Sequence, residues 1–339
     1  MQITTIGLDI AKSVFQVHGV DAAGRAVVRK KLRRGEVLGF FQGLAPCLVG
    51  LEACATSHFW ARELAAFGHD VKLMAPSYVK AYLRRQKNDA ADAEAICEAV
   101  TRPTMRFVPI KSAERQGVLV LHRTRELLVR QRTMLINAIR GHCAEFGLIA
   151  PLGARRADEL IERVRQAEVD TLPELARSAL LSLAQQLDAL AGQIHDLERR
   201  LLAWHRQDRD SLRLATIPGV GIITATALSA TITDPTVFRS GRELAAFLGL
   251  VPRQNSSGGK ARLGRISKMG DGYLRKLLVV GATSVIRRAR TSEAASSAWL
   301  KGLLERRPAR VVTVAQANKT ARIAWAVLMR EEVYRPMAA

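Results

Sequence analysis

The first hundred residues run through two hydrophobic periods in turn. Ile3 to Lys12 is a β-branched, mostly apolar run, the pattern of a strand. Ser13 to Val20 alternates Val14, Gln16, His18 and Val20 against Phe15, Val17 and Gly19. A turn at Asp21-Ala22-Ala23-Gly24 leads into a further strand pattern, Ala26 to Leu32. Three antiparallel strands joined by short turns are expected. A helical stretch around Leu38 to Leu44 precedes Pro46 and a buried strand, Cys47 to Leu51. An amphipathic helix near Phe59 to Phe67, a strand from Asp70 to Ala75, and an interrupted helical region from Pro76 to Val100 complete the segment. Hairpin strands followed by alternating helix and strand predict an α/β domain over residues 1–108, its mixed sheet covered by helices.

The period then changes. Leu121, Leu128 and Leu135 recur every seven residues, as do Val120, Leu127 and Met134, with Arg123, Arg125, Arg130, Arg132 and Arg140 on the other faces. Leu180, Leu183, Leu187, Leu190, Ile194, Leu197 and Leu201 alternate steps of three and four, the seam of a coiled coil. Gly147 to Gly153, with Pro151, marks the turn of a helical hairpin, so residues 109–207 read as a central coiled-coil arm for oligomer contacts in preference to an internal hairpin packed on its own chain, because a long basic hairpin has little other apolar surface to fold against. Residues 208–339 form a mainly helical C-terminal domain. Long helices are expected at Tyr273–Arg290 and Val311–Val333, separated by Gly302 and Pro308, with Trp299 and Trp325 as core anchors.

Composition narrows the partners. Lys and Arg number 52 against 31 Asp and Glu, a net charge of +21 over 339 residues. Such an excess fits a polyanion, most simply nucleic acid. No apolar run is long enough to span a bilayer and no signal peptide is evident, which points to a cytoplasmic protein. Cys47, Cys54, Cys97 and Cys143 lack zinc-site spacing and read as small buried hydrophobes. Any bound metal must therefore take oxygen ligands.

Three places carry candidate chemistry. Asp9 interrupts an apolar strand near its end, where a buried carboxylate needs a cation or a donor. Alone it reads better as an ordinary edge-strand or turn aspartate. Glu52 stands in the same relation to its own strand, and Asn88 can cap a helix whose Asp89 and Asp92 share one face. As a set the four offer what a two-metal phosphodiester site requires. Second, Ile217-Pro218-Gly219-Val220-Gly221 before a helix resembles a helix-hairpin-helix turn, in which Gly219 and Gly221 present amides to a phosphate; a plain helix–helix corner suits it as well. Third, residues 251–270 form a Gly-, Ser- and base-rich loop between apolar helices. Arg253, Lys260, Arg262, Arg265 and Lys268 can surround a phosphate there. On its residues alone this is a nucleic-acid-binding loop whose serines are fillers.

Together Gly7-Leu8-Asp9-Ile10-Ala11-Lys12, Leu51-Glu52-Ala53, Asn88-Asp89-Ala90-Ala91-Asp92-Ala93, Ile217 to Gly221 and Phe247 to Arg253 resemble, in order and spacing, the DEDD transposases of bacterial insertion sequences, the IS-one-ten family. The resemblance covers nearly the whole chain. It implies a RuvC-like N-terminal domain of RNase H fold with Asp9, Glu52, Asp89 and Asp92 as a Mg²⁺-binding tetrad. It also implies a catalytic serine in the C-terminal transposase domain. The family serine precedes a glycine, which matches Ser257 before Gly258, with Ser256 adjacent. Further implications are a covalent phosphoserine link to DNA, a homo-oligomer built as a dimer of dimers with shared active sites, and a noncoding bridge RNA pairing with donor and target DNA. A bacterial, nucleoid-associated location would follow. Base pairing would then supply specificity while the protein reads backbone and shape.

Other readings compete. A structure-selective resolvase would use the carboxylates with water and would not need Ser257. An actin-like kinase also opens on Gly-x-Asp, but Ile10-Ala11-Lys12 lacks the Gly and Thr its phosphate loop wants. A non-catalytic nucleic-acid scaffold would be indifferent to Asp9→Ala.

Overall fold

The computed structural model describes residues 2–83, 88–151, 153–166, 172–256, 258, 260, 262–291 and 297–335. The chain divides into two compact units, Met1–Gln116 with Ile232–Arg239, and Gly117–Thr231 with Ser240–Ala339.

The first unit is built on a mixed sheet. The strands are β1 (Thr5–Asp9), β2 (Val14–Val20), β3 (Ala26–Arg33), β4 (Leu48–Glu52), β5 (Asp70–Met74) and β6 (Phe107–Val108), in the order β3-β2-β1-β4-β5-β6. The hairpin strands β1 to β3 pair antiparallel, β4 and β5 join parallel to β1, and β6 closes the edge antiparallel. This is the expected mixed sheet; the two-residue β6 was too short to show a period.

The two faces of the sheet are covered differently. Ile6, Leu8, Phe15, Val17, Leu32, Val49 and Leu51 form one core with Val37 and Phe41 of α1 (Val37–Gln42) and Trp60, Ala61 and Leu64 of α2 (Ser57–Ala66). After the short α3 (Pro76–Val79), α4 (Asp89–Val100) lies across the opposite face. Glycines make that approach possible. A Cβ on Gly7 would fall 2.1 Å from the carbonyl oxygen of Ala93, and one on Gly50 would fall 2.8 Å from Cβ of Val100. The helix offers Ala93, Ala95, Cys97 and Ala99 in return, so its backbone rides directly on the strands.

The second unit is helical. Its elements are α5 (Ala113–Ala144), which begins in the last residues of the first unit, α6 (Ala154–Arg165), α7 (Glu174–His205), α8 (Arg209–Ala215), α9 (Ile222–Thr231), α10 (Gly241–Phe247), the strands β7 (Pro252–Gln254) and β8 (Leu263–Ile266), α11 (Gly272–Thr291), α12 (Ala298–Arg306) and α13 (Ala309–Arg330). The expected pair of long helices is present, and Leu180, Leu187, Ile194 and Leu201 are buried one heptad apart. The segment joining them is more than a turn. Leu160, Ile161 and Val164 of α6 pack with Ile139 and Cys143 of α5 and with Leu180, Ala184 and Leu187 of α7.

Four expectations need correction. The residues around Arg253 and Arg265 are not simply loop but a β-ribbon, because Pro252 pairs with Ile266 and Gln254 with Leu263. Cys54 is exposed, unlike the other three cysteines, since it follows the end of β4 rather than lying within it. Trp299 is 42 % exposed and serves as a platform for the Lys319 ammonium, 4.3 Å from the ring centroid, instead of anchoring a core. Gly302 lies within α12, leaving Pro308 alone to mark the break before α13.

Candidate active site

Strand parity places the first carboxylate. Gly7 faces α4, so Asp9, two residues on and last in β1, stands on the same side of the sheet. Asp89 and Asp92 occupy the first turn of α4, whose cap is Asn88; its Oδ1 accepts from the Ala91 amide at 2.7 Å. Spacing of three stacks the two aspartates on one side of the helix's first turn. One oxygen from each of Asp9, Asp89 and Asp92 lies within 4.8 Å of the others. Asp9 and Asp92 are half-buried and Asp89 is exposed.

Glu52 ends β4 and is half-buried. Because Leu8 pairs with Leu51, it follows Asp9 on the neighbouring strand, about 4.8 Å away between backbones. Its carboxylate is nevertheless not part of the close group formed by the other three. Hard carboxylate oxygens in this arrangement suit a small divalent cation. Oxygen ligands of Mg²⁺ stand about 2.1 Å from the ion.

The second candidate centre is the β7–β8 ribbon of the helical unit. Arg253, Lys260, Arg262, Arg265 and Lys268 are all exposed along it. Ser267 N donates to Val251 O at 2.8 Å and Asn255 N to Arg262 O at 2.9 Å, extending the pairing at both ends. Ser256 Oγ accepts from Arg262 N and from Gln254 Nε2, each at 3.1 Å, and is thereby held in the ribbon. Ser257 lies outside the described residues.

The feet of the ribbon are clamped. Gly249 and Gly270 both have positive φ, +69° and +75°. A Cβ on Gly270 would stand 1.8 Å from the carbonyl oxygen of Phe247, and one on Gly249 would stand 2.2 Å from that of Met269. Arg275 Nη1 donates to Leu248 O at 2.9 Å and to Met269 O at 3.0 Å, tying the two feet together. Asn318 Nδ2 donates to Leu250 O at 3.1 Å. Arg275 and Asn318 were not among the residues expected from sequence. The signals available were the glycines flanking the loop and Asp271, whose Oδ1 caps α11 through Tyr273 N and Leu274 N.

The Ile217–Gly221 turn has a packing reason for its first glycine. Gly219, at φ +84°, meets Gly281 of α11 so closely that a Cβ would stand 2.8 Å from the Gly281 carbonyl oxygen. Gly221 is open and exposed just before α9. Behind α9, His122 Nε2 pairs with Thr226 Oγ1 at 3.1 Å and its Nδ1 with Tyr273 Oη at 3.0 Å. Thr226 Oγ1 also donates to Ile222 O, which leaves it to accept from His122. Burial, reinforced by Arg125 and Arg123, holds the imidazole pKa down at about 4. His122 is thus a neutral structural link.

An α/β unit with carboxylates gathered between its first strand and a crossing helix, joined to a helical unit bearing a basic ribbon, is the build of a protein that acts on nucleic acid. The comparisons narrow this class. Residues 6–146 match a family described as a transposase of the DEDD type, and residues 211–297 match the transposase IS116/IS110/IS902 family. A protein of Pseudomonas aeruginosa named "Probable family 20 transposase" is 52 % identical over 337 residues, covering 99 % of this chain and all of that protein. The transposase for insertion sequence element IS1328 of Yersinia enterocolitica is 39 % identical, covering 98 % of both chains. That for IS1111A of Coxiella burnetii is 40 % identical over 98 % of this chain and 92 % of its own length. The chain belongs to the IS110/IS116/IS902 family of insertion-sequence transposases. Among the described residues no helix is long and apolar enough to cross a membrane.

Proposed function

We propose that this transposase cuts and rejoins DNA through Ser257, assisted by Mg²⁺ held at Asp9, Asp89 and Asp92 with Glu52 beside them. The observation that carries the reading is the convergence of three carboxylates from β1 and α4. When bound, the metal would supply electrostatic stabilisation of the phosphate oxygens undergoing displacement. Ser257 Oγ would form the new ester to phosphorus as the bond to the sugar oxygen breaks, the serine proton ending on the departing hydroxyl. Attack by a second strand's hydroxyl would reverse the step and free the serine. Arg253, Lys260, Arg262, Arg265 and Lys268 would hold the phosphate, with Gly221 adding an amide contact nearby. The two hydrogen bonds accepted by Ser256 Oγ support giving the nucleophilic role to its neighbour.

The remaining proposals concern partners. A noncoding bridge RNA would pair with donor and target DNA, and the long helices α5 and α7 would carry assembly into a dimer of dimers. The exposed cations and the net charge of +21 support nucleic-acid contacts made largely to backbone. We expect a cytoplasmic protein associated with the nucleoid. The test incubates the full chain with its flanking RNA, donor DNA and target DNA in Mg²⁺, then seeks a protein–DNA adduct that survives denaturation. Ser257→Ala should abolish the adduct, and Asp9→Ala or chelation should abolish strand exchange with RNA binding retained. Cutting without any adduct would replace the serine mechanism with hydrolysis by the carboxylates and water.

A further inference from the structure

The α4 face of the sheet extends beyond the carboxylates. Asp9 pairs with Gln16, and Gln16 with Lys31; one step back, Gly7 pairs with His18, and His18 with Arg29. Parity puts these rows on the face that Gly7 presents to α4. Two strand spacings, roughly 10 Å, therefore separate the backbone at Asp9 from that at Lys31. Between the strands and the start of α4 lies a groove of about 530 Å³, bordered by Gln16 to His18 of β2, Arg29 to Lys31 of β3, and Asn88, Ala90, Ala91 and Glu94 at the start of α4.

The groove is graded in charge. Arg29 and Lys31 are exposed on β3, and neither is bridged to a carboxylate among the described residues. Glu94 stands with His18 on the other side. Burial lowers the His18 pKa, with Glu94 opposing the shift and Arg29 adding to it. Lys30 also borders the groove, but alternation along β3 sends its side chain to the other face, where its ammonium stands 5.4 Å from the Phe40 ring centroid.

We propose that this groove seats the phosphodiester backbone of the DNA strand being processed, with Arg29 and Lys31 holding phosphates next to the one at the carboxylates. The strand would run from Asp9 outward across β2 and β3 under the start of α4. A cationic wall so near an acidic centre has a direct physical use. The carboxylates repel the polyanion on which they must act, and cations two strands away offset that repulsion without displacing a metal. The polar floor, Gln16 and Asn88, can donate to phosphate oxygens without reading bases. This inference rests on the reading of Asp9, Asp89 and Asp92 as the phosphodiester centre.

The experiment uses the full chain and a short single-stranded DNA of mixed sequence. Lysine acetylation followed by mass spectrometry should show Lys31 slowed severalfold on adding DNA and Lys30 unchanged. In salt titrations, Arg29→Ala/Lys31→Ala should reduce the slope of log affinity against log salt by about 1.4, at roughly 0.7 for each phosphate no longer neutralised. Lys30→Ala should leave the slope in place, and circular dichroism should confirm that the double variant is folded. Unprotected Lys31 with an unchanged slope overturns the groove. Protection by RNA of the same sequence, with none by DNA, overturns its assignment to the DNA strand. Asp9→Ala separates the two readings: if it still cuts DNA the metal centre falls, whereas the Lys31 footprint stands or falls independently.

Discussion

At the scale of single residues, buried polar groups set the conditions under which the molecule is stable. His122 accepts from Tyr273 and donates to Thr226, so protonating its Nδ1 would break the first bond and bury a charge. Its folded pKa, about 4, lies below the ordinary value of 6.5. The folded state therefore binds fewer protons than the unfolded chain, and this contribution is complete above pH 6.5 and lost as pH falls toward 4. A full shift of this size corresponds to stability on the order of 3 kcal/mol. Urea titrations of wild type and His122→Phe at pH 7 and pH 4.5 should show a steeper acid loss in wild type; parallel losses would place the acid sensitivity elsewhere. Residue-scale legibility was uneven for clear reasons. Asp9, Asp89 and Asp92 were readable because period two and an Asn cap fix where their side chains point. Glu52 was readable only as a strand end, since its carboxylate orientation depends on contacts that strand parity does not set. Trp299 looked like core because size and apolarity do not reveal that Lys319 will lie over the ring.

At the scale of elements, the ribbon shows how remote contacts make structure from a sequence lacking a period. Pro252–Gln254 and Leu263–Ile266 are too short, and too rich in Gly, Ser and Arg between them, to announce themselves as strands. What orders them is the clamp at their feet, where Arg275 bridges Leu248 and Met269 and Asn318 holds Leu250. α6 escaped notice for a similar reason, its few apolar residues being set among arginines and glutamates that solvate the rest of the helix. The clamp has a measurable consequence. Arg275→Ala deprives two carbonyls of a charged donor, and local opening of the ribbon should become easier by about 1–3 kcal/mol. Hydrogen exchange should report it as lost protection at Ser267 and Lys268, whose amides bond to Val251 and Gly249, with α13 unaffected. Strand exchange should fall in parallel while nucleic-acid binding persists. Unchanged exchange at those two amides would mean that the glycine packing alone holds the ribbon.

At the scale of the whole molecule, the exposed apolar surface bears on assembly. One heptad set on α5, Leu121, Leu128 and Leu135, is half-buried. The other set, Val120, Leu127 and Met134, is 62 %, 47 % and 65 % exposed. Seven-residue spacing from Val120 to Met134 is the geometry of a seat for another helix, whereas scattered surface hydrophobes need no such regularity. Arg123 and Arg130 flank the stripe, so stacking many copies would accumulate positive charge and favours a small closed assembly over an open one. Burying the exposed half of three such side chains contributes roughly 1 kcal/mol each per protomer, and a two-fold interface counts every residue twice. Replacing all three with serine should therefore cost about 6 kcal/mol of association, on the order of 10⁴-fold in the dimer dissociation constant. Sedimentation velocity at micromolar protein should show the triple variant shifting to monomer, with Thr124→Ser as the surface control. If assembly brings active-site parts together from different subunits, as the family resemblance implies, the same variant should lose strand exchange and keep its acetylation footprint at Lys31. A triple variant that sediments like wild type would remove α5 from the interface.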